Sequence, residues 1–204
     1  MAKQQNFGTI LRGKFKAQKV AFPPLDSTRP TKQIVIGSFI DSTLAELVGA
    51  NFIEAFGGSG LMAANALSVG AKAAWAVEFN KEAFKTTKQN ALKFGFNALL
   101  ADAFVAVPKL VSEISNSVLA NSQPNLQKPN LVLYLDPPFS IREGFDGVYQ
   151  KCVRLLKSVE DEVDLCVFEH DSEVVLEEQI GKFSKSKQRK FGRSSLSFFQ
   201  KLSG

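Results

Sequence analysis

Asp136-Pro137-Pro138-Phe139 sets a carboxylate, two rigid prolines and an aromatic ring in four consecutive positions. The residues before it, Asn130 to Leu135, are mostly apolar and predict a buried strand. Open α/β folds bind ligands at the carboxyl ends of their strands. Adjacent prolines can neither continue a ladder nor sit inside a helix, so they fix a stiff turn whose carbonyls have no competing N–H donors. Such a turn can grip an exocyclic amino group on a planar base. The same four residues would also serve to end a strand and plug the core, so the rest of the chain has to decide.

Three more acids end predicted strands: Glu54 in 51–55, Glu78 after 73–77 and Asp102 after 98–101. The segment Glu54-Ala55-Phe56-Gly57-Gly58-Ser59-Gly60 lets the backbone approach a ligand closely and then opens a helix with free N–H groups. It is neither a Walker loop nor the dinucleotide pattern. An acid ahead of the glycines repels a pyrophosphate and suits an ammonium or sulfonium cation. Glu78 stands twenty positions after Gly58, where a carboxylate can accept both hydroxyls of a ribose. Asp102 can reach the edge of an adenine. One strand-end acid is ordinarily a turn or cap residue. Four along one sheet edge describe a ligand with a ribose, an adenine and a cation but no phosphate, which is S-adenosylmethionine. The candidate cofactor-binding residues are Glu54, Phe56, Gly57, Gly58, Ser59, Gly60, Glu78, Phe79, Asp102, Ala103 and Asp136.

An exocyclic aromatic amine is a poor nucleophile because its lone pair is delocalised into the ring. Asp136 and the Pro137 carbonyl can accept its two N–H bonds, which localises the lone pair and aligns it for in-line attack. Phe139 can stack on the base, which must first leave its neighbours. Asp136, Pro137 and Phe139 are therefore the candidate catalytic residues. No metal is required. His170 is the single histidine, read as a surface or strand-end residue. Cys152 and Cys166 lack metal-type spacing and read as small apolar packers in a reducing cytosol.

The 204 residues, 45% of them hydrophobic, predict one globular domain with a small appendage. No apolar run is read as long enough to span a bilayer, and the first residues carry no apolar signal core, so a cytoplasmic location is expected. Net charge is +5 with a sequence pI near 9.2. Residues 1–32 hold seven basic side chains and one acid, and residues 182–204 hold seven basic and none acidic, which leaves the middle at a net −8. Brought together by the fold, the two ends would form a positive face, the footprint of a polyanion partner. Left apart, they are two solvated termini.

Residues 7–12 and 15–20 predict a hairpin turning at Gly13, and residues 1–24 form the basic appendage. A helix follows Arg29-Pro30-Thr31, with Thr31 as its cap and Ile34, Ile36, Phe39, Ile40, Leu44 and Leu47 mostly on one side. From residue 51 to 180 strands and helices alternate, which argues for a doubly wound parallel sheet, with a helix at 81–94, another from about 105, a helix end plus a long surface loop over 115–130, a helix at 145–157, a strand at 164–168 and a short helix at 173–181. A late hairpin around Gly192 would complete a seven-stranded Rossmann-like sheet, and residues 25–204 form the catalytic domain.

The chain resembles the RsmD-type methyltransferases, which methylate N2 of a guanine in bacterial 16S rRNA. Ile10-Leu11-Arg12-Gly13-Lys14-Phe15-Lys16 with Lys19-Val20 is similar to that family's basic opening hairpin, and Arg29-Pro30-Thr31 to its Arg-Pro-Thr signature. Phe56 to Gly60 with Ala66 to Ala71 resembles its cofactor loop and first helix, and Leu135 to Phe139 its catalytic motif. Phe168-Glu169 and Gly192 to Leu196 resemble its last strands. The resemblance implies an S-adenosylmethionine-dependent monomer acting on 16S rRNA in the small ribosomal subunit, with Arg12, Lys14, Lys16, Lys19 and Arg29 on the RNA. The chain departs from the family at Glu54, where Asp is usual, at Gly57, where Ala or Ser is usual, and at 32–37, where a polar run ending in Arg-Glu is replaced by Lys32-Gln33-Ile34-Val35-Ile36-Gly37. Two rival readings share these residues: an adenine-N6 methyltransferase on DNA or RNA, and a catalytically impaired RNA-binding assembly factor.

Overall fold

The computed structural model describes residues 6–24, 33–121, 129–138 and 147–202. Phe139, Arg29, the Thr31 cap and residues 122–128 therefore lie outside the described residues. The chain order is β1 (Phe7–Thr9), β2 (Lys19–Ala21), α1 (Gln33–Leu47), β3 (Asn51–Glu54), α2 (Leu61–Ser68), β4 (Ala73–Glu78), α3 (Lys81–Phe94), β5 (Asn97–Leu100), α4 (Ala103–Ala120), β6 (Leu131–Leu135), α5 (Val148–Ser158), β7 (Leu165–Asp171), β8 (Gln179–Ile180), β9 (Phe183–Phe191) and β10 (Ser194–Lys201).

The main sheet runs β5-β4-β3-β6-β7-β10-β9-β8. Its first five strands are mutually parallel, and β10, β9 and β8 are added antiparallel. This is a Rossmann-like α/β fold with a mixed sheet and a small N-terminal hairpin. Seven strands match the expectation. The eighth, β8, stands where the short helix at 173–181 was expected. Gly181, at φ +55, instead turns the chain so that Gln179 and Ile180 pair with Ser184 and Phe183. That pairing outweighs any local helical preference.

Helices cover both faces of the sheet. α1, α2 and α3 share one core cluster with the N-terminal hairpin, and α4 and α5 share the other. α1 buries Val35, Ile36, Phe39, Ile40, Thr43 and Leu47 but leaves Ile34 and Leu44 exposed, a face rotated slightly from the expected one. At its centre Phe39 meets Tyr134 edge-on at 5.1 Å and packs at a tilt on Phe52 at 5.9 Å. α3 starts at Asn80, whose side chain accepts from the Glu82 and Ala83 N–H groups, and stops at Gly95 in the left-handed region, at φ +86. α4 has the length and mean hydropathy of a membrane span by composition alone, against the expectation that no such run exists. Its apolar side is nonetheless committed to the sheet through Val107, Leu110, Val111 and Ile114.

The hairpin differs from its prediction. β1 and β2 pair antiparallel from Phe7↔Ala21 to Thr9↔Lys19, so Gly13 is no tight turn between them. Residues 10–18 form a loop that docks on α2: Lys14 N–H donates to the Ser68 carbonyl at 2.8 Å and Phe15 N–H to Ser68 Oγ at 2.9 Å. The Leu11 N–H reaches Asn65 Oδ1, and Ile10 and Val20 are buried in the core. Gly13 sits at φ +80, and a Cβ there would lie 1.7 Å from the Ser68 carbonyl oxygen. Gly13→Ala therefore has to undock this loop. We expect a loss of about 2 kcal/mol, read as a melting temperature lower by about 6 °C.

Candidate active site

The register of the parallel strands sets how deep each strand-end acid lies. Glu54 pairs with Ala76 and Tyr134, so Glu78 and Asp136 each lie two residues further out. Leu100 pairs with Glu78, so Asp102 lies two residues further still. Exposure follows that order. Glu54 is 5% exposed, Glu78 and Asp136 are half-buried, and Asp102 is exposed.

Three of these carboxylates hold backbone N–H groups at the start of the next element. Glu54 accepts from Ala63 N–H at 2.9 Å and Met62 N–H at 3.4 Å, in the first turn of α2. Such donors have no partner within their own helix, and the positive end of the helix dipole favours an anion there. Burial pushes the Glu54 carboxyl up to about 8; the two N–H donors oppose the shift, and the negative charges of Glu78 and Glu169 add to it. Glu78 accepts from Gly58 N–H at 2.7 Å and Asn80 N–H at 2.6 Å, and burial raises its carboxyl as well. Asp102 caps α4 by accepting from Phe104 N–H at 2.8 Å.

The glycine loop is shaped by close passage. Gly57 N–H donates to the Val77 carbonyl at 2.6 Å, and a Cβ on Gly57 would lie 3.1 Å from both Ala76 Cβ and that carbonyl oxygen. A Cβ on Gly60 would lie 2.2 Å from the Phe96 ring. One on Gly58 would meet nothing within 4 Å, so the loop is open on that side. Ser59 is buried, Phe56 packs edge-on against Phe104 at 5.6 Å, and Phe79 is 76% exposed beside Glu78. Ala103 is buried under the α4 cap. With Phe104, Lys151, Arg154, Leu155 and Ser158, Asp102 also lines an open cleft of about 420 Å³ between α4 and α5.

Asp136 follows β6 directly, with Pro137 buried and Pro138 half-buried. Its negative charge bears on two phenols. Tyr134 donates to Glu169 Oε2 at 2.6 Å, and its hydroxyl is pushed far up by burial and by the charges of Glu169 and Asp136. Tyr149, on α5, accepts from Asp171 N–H at 3.1 Å, and burial with the Asp136 charge raises it to about 12. Both phenols are neutral at physiological pH.

The structure thus brings Glu54, the glycine loop, Glu78, Asp102 and the Asp136 turn to one sheet edge. Sequence reasoning missed Tyr134, Tyr149, Glu169 and Asn90. A hydroxyl within an apolar strand and an amide on the apolar side of a helix were the available signals. His170 stands at the end of β7, as one of its two expected placements had it, but it is fully buried and not at the surface. Its Nε2 lies 2.9 Å from Ser197 Oγ and its Nδ1 2.8 Å from the Asp171 carbonyl, so it ties β7 to β10, and burial lowers its pKa. Cys152 and Cys166 are buried free thiols, as expected. Among the described residues no cluster of histidines, cysteines and acids could hold a metal ion.

The basic ends both reach α1. Arg12 forms an ion pair with Asp41, and Lys187 Nζ donates to Ser42 Oγ at 2.9 Å. Lys14, Lys16 and Lys19 remain exposed on the hairpin. Lys182 instead pairs with Asp161, and Lys185 with Glu178 at 2.7 Å, so part of the C-terminal charge is neutralised locally.

Residues 9–200 match the family model described as conserved hypothetical protein 95. The ribosomal RNA small subunit methyltransferase D of Buchnera aphidicola is 22% identical over 149 residues, which are 73% of this chain and 69% of that protein. The Escherichia coli protein yhhF, assigned as a methyltransferase, superposes with a TM-score of 0.68 at 19% identity, covering 98% of this chain and 100% of its own. An assigned methylase of Haemophilus influenzae gives a TM-score of 0.66 at 17% identity, covering 97% and 100%.

The Glu54 shift has a measurable consequence. Its folded carboxyl holds a proton more tightly than its ordinary value of 4.5 allows. Stability contributed this way is complete at low pH and is lost as pH rises through about 8. The melting temperature of the native chain should fall between about pH 4.5 and about pH 8 and level off above that. In Glu54→Gln the fall should be smaller by at least about 3 °C. Parallel curves for the two proteins would show that Glu54 is already ionised in the fold.

Proposed function

The chain belongs to the conserved hypothetical protein 95 family of RsmD/YhhF-like methyltransferases, and on that premise we propose that it methylates the exocyclic N2 amine of a guanine in 16S rRNA of the small ribosomal subunit. Membership implies S-adenosylmethionine as the methyl donor. The observation that carries the reading is Asp136 at the mouth of β6, on the same sheet edge as Glu54, Glu78 and Asp102 and flanked by two neutral phenols.

The residues present fit that cofactor. The edge is acidic, and the open side of Gly58 lies beside the Glu78 carboxylate, which disfavours a phosphate and suits a ribose and a cation. Glu78 would hold the ribose hydroxyls, Asp102 and Phe79 the adenine, and Glu54 would face the methionyl end from beneath. When bound, S-adenosylmethionine supplies a methyl group on an electron-poor sulfonium. The chain's own contribution is to the amine. The Asp136 carboxylate and the Pro137 carbonyl accept its N–H bonds, localise the lone pair and fix its direction. As nitrogen takes on the methyl group it sheds a proton, and Asp136 is the acceptor within reach. Tyr134 and Tyr149, held neutral, add no further negative charge beside that carboxylate. Phe139 is assigned to stacking on the base.

An RNA substrate is supported by exposed Lys14, Lys16 and Lys19 and by two lysine–aromatic stacks, Lys14 over Phe15 and Lys93 over Phe94, each 4.8 Å from the ring centre. The rings themselves meet edge-on at 5.4 Å. The Buchnera relative is named for small-subunit ribosomal RNA.

Incubation with labelled S-adenosylmethionine and small subunits, naked rRNA or DNA should place label in N2-methylguanosine from subunits. Label in N6-methyladenosine would assign a different base, and cofactor binding without label would mark an impaired assembly factor. Asp136→Ala should lower kcat by about a hundredfold or more while cofactor Kd stays within about threefold. Lys14→Glu with Lys16→Glu should weaken subunit binding and flatten its salt dependence by about two ions. An unchanged salt slope would mean that the hairpin lysines are only solvated.

A further inference from the structure

α3 presents three polar side chains one turn apart, and each bonds to backbone of the cofactor loop or the hairpin. Thr87 Oγ1 donates to the Gly58 carbonyl at 2.7 Å. Lys93 Nζ donates to the Lys19 carbonyl at 2.8 Å. Between them, Asn90 bonds to both elements. Its Nδ2 donates to the Ser59 carbonyl at 2.8 Å and to the Ala21 carbonyl at 2.8 Å, and its Oδ1 accepts from Ala21 N–H at 3.2 Å.

Asn90 is 3% exposed, and an asparagine in a helix interior is neither a strong helix former nor an apolar packer. An amide has two N–H donors, and two carbonyls on separate elements use both of them. The arrangement also fixes the orientation of the amide, because a flipped group would set its oxygen against two carbonyls. Ser59 is buried and leads directly to Gly60, which stands in the left-handed region at φ +74. Holding the Ser59 carbonyl therefore sets the peptide plane that leads into α2.

We infer that Asn90 is a positioning residue that couples the hairpin to the cofactor loop, so that binding at either one strengthens binding at the other. Ordering β2 fixes the amide, and the fixed amide presents the Ser59 carbonyl with a partner already in place. The conformational freedom of that amide is lost once for two sites, which is positive coupling, and coupling between binding equilibria is reciprocal. The cofactor half depends on the loop alone. The RNA half rests on the substrate reading given above.

The test uses the full chain, Asn90→Ala, Asn90→Ser and, as a stability control, Val163→Ala in the opposite core. In the unaltered chain, S-adenosylmethionine should slow hydrogen exchange of the Ala21 amide by about fivefold or more, and small subunits should lower the Kd for S-adenosylmethionine by a similar factor. Val163→Ala should keep both factors while losing stability. Asn90→Ala should bring both factors close to one. Asn90→Ser, which can reach only one of the two carbonyls, should do the same where the alanine variant fails to fold. Native factors in a folded Asn90 variant, or no change at Ala21 when the cofactor binds, would overturn the coupling. Exchange at Ala21 that slows with cofactor in a chain that binds no subunits would leave the coupling standing and overturn the RNA reading.

Discussion

The site depends on carboxylates at strand ends that satisfy the unpaired N–H groups of whatever comes next. Glu54 does this for α2, Glu78 for the glycine loop and Asp102 for α4. Each bond fixes the direction in which the chain leaves the sheet, and so fixes a wall of the site. The same residues leave the edge acidic. An anionic ligand is disfavoured there, and a cationic one would favour the ionised form of Glu54, which burial otherwise keeps protonated up to about pH 8. Glu54 shows the tension most clearly, because burial raises its carboxyl while two helix N–H groups pull it down.

Charge is separated along the molecule. The edge of the candidate site carries acids and two phenols held neutral by burial and neighbouring carboxylates. Basic side chains lie on the hairpin and on β9, two elements that reach α1 from different parts of the chain through Arg12 and Lys187. A polyanion can be attracted by the rim and still be kept from the acidic sheet edge. α3 joins these regions, since its polar stripe bonds to hairpin and glycine loop alike.

Much of this edge was legible in the sequence, because strand ends follow from apolar runs and the acids stand just beyond them. The depth of each acid was not, because depth is set by pairing between strands far apart in sequence. Glu54 therefore read like the others although it lies deepest. The hairpin turn was misplaced for a related reason: Gly13 has positive φ to pass the Ser68 carbonyl, a tertiary contact, and not to reverse a strand. β8 replaced a predicted helix through pairing with residues beyond Gly181. Asn90 was visible as an amide among apolar neighbours on α3, but its two partners lie 31 and 69 residues away.

The central claim is that the Asp136 turn presents a guanine amine for methylation. The most direct measurement is a mass-spectrometric inventory of modified nucleosides in small-subunit rRNA from cells that lack this chain, complemented with the native protein or with Asp136→Ala. The account predicts that one N2-methylguanosine is absent without the protein, restored by the native chain and not restored by Asp136→Ala. An inventory unchanged by loss of the protein, or restored by Asp136→Ala, would contradict it.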